Sequence, residues 1–205
     1  MHCAPNEREF RMRFTKPSLI AILMLAASSA FAGPNLVVNG GFETGDLTGW
    51  TAANLNNTFV TSGFYIWTPE AGNYFFCMGN VGSDGIISQS IATNPGDTYN
   101  VTYYFGSDGA TPNDFTSMFA GQTLYTATNI AAQPYTFYSF DVVAPTASSL
   151  LQFDERDDPA YLALDTIVVT DITPTGTPEP GSLALLLGAG ACGSAVAIKR
   201  RRSRA

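Results

Sequence analysis

Between residues 33 and 173 the apolar positions come in short runs, and most of them alternate with polar positions at a period of two. The clearest case is Thr98 to Phe105. Tyr99, Val101, Tyr103 and Phe105 fall on one face, and Thr98, Asn100, Thr102 and Tyr104 on the other. Leu36–Val38, Thr58–Ser62, Phe64–Trp67, Asn73–Met78 and Gly85–Ile91 read as strands before it. Phe115–Ala120, Thr123–Ala127, Thr136–Val143, Ser149–Phe153 and Tyr161–Thr170 read as strands after it. Asn39-Gly40-Gly41, Pro69, Gly72 and Asn94-Pro95-Gly96-Asp97 supply the turns between them. No stretch of this region keeps a helical period. Many short strands without crossover helices predict an all-β, antiparallel sandwich, whose topology the periodicity leaves open.

The two ends follow other rules. In residues 1–32, Arg8, Arg11, Arg13 and Lys16 precede the apolar run Leu19–Ala27, and Ala30-Phe31-Ala32 follows. This is the layout of a signal peptide read by signal peptidase, with cleavage expected after Ala32. Met12 offers a second start with a shorter basic lead. At the other end, residues 174–181 form a Thr/Pro linker, extended because proline fixes φ and lacks an N–H. Residues 182–198 are apolar and uncharged, enough for roughly 26 Å of helix at 1.5 Å per residue, and predict a transmembrane helix. Residues 199–205 carry Lys199, Arg200, Arg201, Arg202 and Arg204, which hold that end in the cytoplasm and place the sandwich outside.

Charge sharpens the picture. The whole chain has a formal charge of −7, but nine of its ten basic residues lie in the two ends. Residues 33–198 hold Arg156 alone against fifteen acidic residues, a net charge of −14. Such a surface repels nucleic acid, whose binding needs Lys and Arg against phosphate. Cys77 is the one cysteine of the sandwich region, so no disulfide forms within it, and its neighbours Phe75, Phe76 and Met78 predict a buried thiol.

Catalysis is poorly supplied. Residues 33–173 contain no histidine and no lysine, which excludes Ser-His-Asp and Cys-His arrangements and histidine-based zinc sites. A glycosidase-like carboxylate pair would draw on Glu43, Glu70, Asp154, Glu155, Asp157, Asp158 or Asp165, and no spacing singles out two of them. Asp154-Glu155-Arg156-Asp157-Asp158-Pro159 reads as a solvated charged loop in which Arg156 relieves repulsion, with a second calcium site as the alternative. Calcium, which takes carboxylate and carbonyl oxygens, suits this acidic composition. Sugar binding calls for aromatic faces beside amides and carboxylates. The candidate aromatics are Tyr65, Trp67, Tyr74, Tyr104, Tyr135 and Phe137, and Trp50 is expected to pack under the first loop. Tyr65 and Trp67 share a face if Phe64–Trp67 is a strand, and Tyr104 lies on a polar face with Asn100. These three are the predicted ligand contacts.

Two resemblances add to this reading. The order Pro178-Glu179-Pro180, apolar helix, Arg200-Arg201-Arg202 resembles the PEP-CTERM sorting signal of exosortase-processed surface proteins. It implies a temporary anchor cut near Pro178–Pro180 by exosortase, where the residues alone indicate an ordinary membrane anchor. The pieces Asn35-Leu36-Val37-Val38-Asn39-Gly40-Gly41-Phe42-Glu43, Gly49-Trp50, Ile87-Ser88-Gln89-Ser90-Ile91, Pro95-Gly96-Asp97-Thr98-Tyr99 and Tyr161–Val169 resemble, in order, galactose-binding-like jelly rolls of carbohydrate-binding modules. That resemblance implies a jelly-roll sandwich and a structural Ca2+ held by Glu43 and Asp165 with carbonyls near Gly41. Without the metal, Glu43 is an exposed turn residue and Asp165 a hydrogen-bonded strand residue. Thr166 stands where the family often has a second acidic residue. The function implied is an exported, non-catalytic surface or matrix protein of the cell envelope that binds extracellular polysaccharide. A structural biofilm-matrix protein without a sugar ligand and a glycoside hydrolase are the alternatives.

Overall fold

A computed structural model describes residues 33–158 and 160–174. The predicted signal peptide, the Pro178-Glu179-Pro180 motif, the helix 182–198 and the Arg200–Arg202 cluster lie outside the described residues. Among those described there is no helix, hence none long and apolar enough to cross a membrane.

Ten strands form two five-stranded sheets. They are β1 (Thr51–Ala53), β2 (Phe59–Thr61), β3 (Phe75–Met78), β4 (Gly85–Ala92), β5 (Thr98–Ser107), β6 (Asn113–Phe119), β7 (Gln122–Thr128), β8 (Gln133–Val143), β9 (Ser148–Asp157) and β10 (Leu162–Asp171). One sheet runs β1-β4-β9-β6-β7 and the other β2-β3-β10-β5-β8, with every pairing antiparallel. The eight strands β3 to β10 pass between the sheets as β3-β10-β5-β8 and β4-β9-β6-β7, the order of a jelly roll.

Alternation builds the core. Tyr99, Val101, Tyr103 and Phe105 of β5 face Phe115 and Phe119 of β6 and Leu151 and Phe153 of β9, all buried. The Phe105 and Phe115 rings stack across the two sheets at 4.1 Å, and Tyr103 meets Phe153 edge-on at 5.4 Å. Each such ring contributes about 1.5–3 kcal/mol by leaving water. The Tyr103 hydroxyl is kept satisfied by Ser117 Oγ at 2.8 Å. Trp50 is buried under the first loop as expected, stacked on Phe42 and donating its Nε1 to Asn39 O. Cys77 is fully buried, and burial, with the nearby Glu155 carboxylate, pushes its thiol up to about 12.

Four expectations need correction. Leu36–Val38 is not a strand, because the Asn35 side chain takes the ladder's place: Nδ2 donates to Ile167 O, and Oδ1 accepts from Val169 N and Val37 N. β1 was not predicted, since Thr51–Ala53 is exposed throughout and carries no alternation. Phe64–Trp67 is a two-residue hairpin turn rather than a strand. Phe64 and Trp67 exchange both backbone hydrogen bonds, at 3.0 and 2.9 Å, with Tyr65 and Ile66 at the tip. The acidic run after Phe153 is not a solvated loop, because β9 continues to Asp157. Glu155 and Asp157 extend the inward row of Leu151 and Phe153, while Asp154 and Arg156 point outward.

Candidate functional site

The outer face of the β2-β3-β10-β5-β8 sheet presents two surfaces with the chemistry of recognition. The first lies on β5 and β8. Tyr104 and Phe137 are register partners, their rings 5.2 Å apart and inclined at 55°, and Phe137 is 55% exposed. Two and four residues along the same face follow Thr102 and Asn100 on β5, and Ser139 and Asp141 on β8. Asn100 Nδ2 donates to Ser139 Oγ at 3.0 Å and to Asp141 Oδ1 at 2.7 Å. The aromatic pair therefore stands about 7 Å, two residues of strand, from the Ser139 hydroxyl and about 13 Å, four residues, from the Asn100 amide and Asp141 carboxylate. Tyr104 was a predicted contact. Ser139 and Asp141 were not, although the alternation Tyr135, Phe137, Ser139, Asp141 marks one face of β8.

The hairpin separates the other two predicted contacts. Tyr65 is 65% exposed at the tip, whereas Trp67 is buried at its root, so the two do not share a face. Trp67 lies on the backbone of Gly106, packs edge-on against Tyr135 at 5.4 Å and donates Nε1 to Tyr161 O at 2.8 Å. It borders a cavity of about 290 Å³ together with Ile66, Asp108 and Gln133. The Tyr135 hydroxyl, buried beside it, has no hydrogen-bond partner among the described residues, and burial raises its pKa.

Of the predicted calcium ligands, Glu43 and Asp165 both lie beside Gly41. Gly41 and Glu43 line a cavity of about 210 Å³ with Gly72 and Thr166, and a Cβ on Gly41 would lie 3.7 Å from Glu43 Cγ and 3.9 Å from Asp165 Oδ1. Asp165 is fully buried. Its Oδ2 accepts from Glu70 N and Ala71 N, and its Oδ1 from Thr166 N. Burial pushes its carboxyl up to about 6, with the Glu70 carboxylate adding repulsion and the three amides opposing. Glu43 is exposed and held low by the amides of Asn73 and Tyr74. Glu70 Oε2 accepts from Thr166 Oγ1 at 2.9 Å. Among the described residues no three His, Cys, Asp or Glu side chains form a metal cluster. The side chains here supply carboxylate oxygens, the ligand type calcium takes, and those of Asp165 and Glu43 are engaged by the backbone amides of Glu70, Ala71, Thr166, Asn73 and Tyr74.

Of the carboxylates considered for a catalytic pair, Glu155 and Asp157 are buried between the sheets, away from any sugar-accessible surface. Glu155 accepts from Thr58 Oγ1 at 2.8 Å and Asn80 N at 3.3 Å, and burial pushes it up to about 8. Asp158 is paired with Arg156.

No protein-family model matches the chain, and no curated protein matches it. Solved structures do. A family 61 carbohydrate-binding module in complex with β-1,4-galactotriose superposes with a TM-score of 0.52 at 14% identity, over 68% of this chain and 99% of the module. A tandem of family 22 carbohydrate-binding modules from Xyn10C of Paenibacillus barcinonensis gives 0.52 at 20% identity, over 73% of this chain and 50% of the tandem. The enzymatically active domain of tailspike protein 4 of bacteriophage CBA120 gives 0.51 at 15% identity, over 67% of this chain. This chain spans only 21% of that tailspike domain. The likeness is one of fold.

Proposed function

We propose that this chain is an exported, non-catalytic β-sandwich that binds polysaccharide across the outer face of β5 and β8. The observation that carries the reading is the Tyr104–Phe137 pair on one face with Asn100, Ser139 and Asp141. Pyranose rings stack their C–H faces on aromatic rings, and their hydroxyls pair with amides and carboxylates, so this strip meets both needs of a glycan segment. The complex of the family 61 module with β-1,4-galactotriose makes a neutral glycan the first ligand class to test. A net charge of −14 over residues 33–198 favours such neutral partners.

The reading extends to the ends of the chain. Signal peptidase releases the sandwich after Ala32, and exosortase recognises Pro178-Glu179-Pro180 with the helix 182–198 and the Arg200–Arg202 cluster. The protein is then delivered to the cell surface or the extracellular matrix. A structural Ca2+ on Asp165, Glu43 and carbonyls near Gly41 ties the first loop to β10.

Affinity electrophoresis of the full-length chain in mild detergent, through gels holding xylan or β-1,4-galactan, tests the binding. Retardation that Phe137→Ala and Tyr104→Ala weaken at least tenfold is expected. Both tryptophans are buried, which favours the rival reading of a structural matrix protein with no sugar ligand. That reading gains if no gel retards the native chain.

A further inference from the structure

The tip of the hairpin is built at a cost that the sandwich does not recover. Phe64, Tyr65 and Ile66 are 40, 65 and 62% exposed, three consecutive apolar residues where a turn needs none. Tyr65 adopts the left-handed conformation, with φ at 56°, which Asn or Gly takes with less strain. The root of the hairpin, by contrast, is fixed: the Phe64–Trp67 hydrogen bonds close it and the Trp67 indole is bolted to Tyr161 O.

Around the tip the rings form an edge-to-face cluster. The Tyr161 ring lies 4.8 Å from Phe64 and 6.0 Å from Tyr65, and Phe59 lies 5.0 Å from Phe64. Asn57 accepts from Tyr161 Oη at 3.2 Å beside this cluster. Phe59 is on β2 and Phe137 on β8, the two edges of one five-stranded sheet. Four strand spacings separate them, about 19 Å.

We propose that the tip cluster is a second glycan-binding site, so that one molecule is bivalent and cross-links polysaccharide chains. This rests on the reading that the Tyr104–Phe137 face binds polysaccharide. A glycan is the occupant because the exposed Tyr65 ring stands beside Tyr161 and the Asn57 amide, so that a ring face and the Tyr65 and Tyr161 hydroxyls lie together. The net charge of −14 over residues 33–198 disfavours an anionic membrane surface.

The test compares the full-length native chain with Tyr65→Asn, Phe137→Ala and the double variant. Gel retardation in xylan and β-1,4-galactan is one readout, and sedimentation of the soluble polysaccharide by added protein is the other. Tyr65→Asn relieves the left-handed strain, so its melting temperature is expected to hold or rise. The native chain is expected to be retarded and to sediment the polysaccharide. Each single variant is expected to keep weakened retardation but to lose sedimentation at least fivefold, and the double variant to lose both. Tyr65→Asn behaving as the native chain in both readouts overturns the tip site and leaves the β5–β8 reading standing. Phe137→Ala behaving as the native chain overturns that reading, and full loss of retardation in Tyr65→Asn then leaves the tip as a single site and refutes bivalency. Absence of retardation of the native chain in every gel overturns both.

Discussion

Gly106 decides where Trp67 sits. A Cβ at this position would lie 2.5 Å from Trp67 Cη2 and 2.6 Å from Cζ3, closer than two carbons approach, and the indole is held by its bond to Tyr161 O. Gly106→Ala is therefore expected to destabilise the fold by about 1–3 kcal/mol, the usual penalty of overpacking. It is also expected to shift Trp67 fluorescence to longer wavelength as the ring lifts toward water; a urea unfolding curve and emission spectrum matching the native chain would show that the contact yields freely. Trp67→Ala leaves a hole instead, for about 3–5 kcal/mol. At this residue a change in sugar binding would report the hairpin's loss of support rather than a lost contact, so Phe137 and Tyr65, which are exposed, are the informative positions.

At the scale of the strand, β9 shows what the sequence concealed. Its inward row runs Leu151, Phe153, Glu155, Asp157, and the period of two never breaks, but the chemistry changes from apolar to acidic halfway. Glu155, pushed up to about 8 by burial, keeps a proton in the folded chain that the unfolded chain gives up near its ordinary 4.5. Its contribution is whole below about pH 4.5 and is lost as pH rises through 8; Asp157, pushed up to about 7 by burial and by Asp108, acts in the same direction. The urea midpoint of the native chain is expected to fall from pH 5 to pH 8, and that of Glu155→Gln to fall less; parallel falls would show that Glu155 does not hold the proton. β5 and β8 were legible because apolar and polar residues alternate cleanly, and with them the Tyr104 face. The Phe64–Trp67 hairpin was not, because a two-residue turn of Tyr65 and Ile66 lacks the Asn or Gly that normally marks one. The jelly-roll order came from the resemblance of separated pieces, since periodicity reports faces and not which strands pair.

For the molecule as a whole, hydrogen bonds of Asn35, Leu36 and Gly40 hold the first loop against the last strand without a disulfide, and a cation at the acidic residues beside Gly41 would add a second tie. Gly41 lies beside Asp165 across a separation in sequence of more than a hundred residues, and Arg156 is the one basic residue of 33–198. A divalent cation that binds there in the native chain and not in the unfolded one stabilises the fold by an amount that grows with the logarithm of its concentration relative to its dissociation constant. Calcium is thus expected to raise the melting temperature of the full-length chain by several degrees over chelator-treated protein. Asp165→Asn should erase that difference, while Asp158→Asn, whose carboxylate is paired with Arg156 of β9 in the other sheet, should retain it. Sodium chloride at matched ionic strength separates the two physical causes. Screening relieves the self-repulsion of the whole surface, so it should raise native and Asp165→Asn melts alike, whereas a bound ion acts on the native chain only. Identical melts with calcium and with chelator, and no metal retained after gel filtration, would leave Asp165 as a carboxyl satisfied by the amides of Glu70, Ala71 and Thr166 alone.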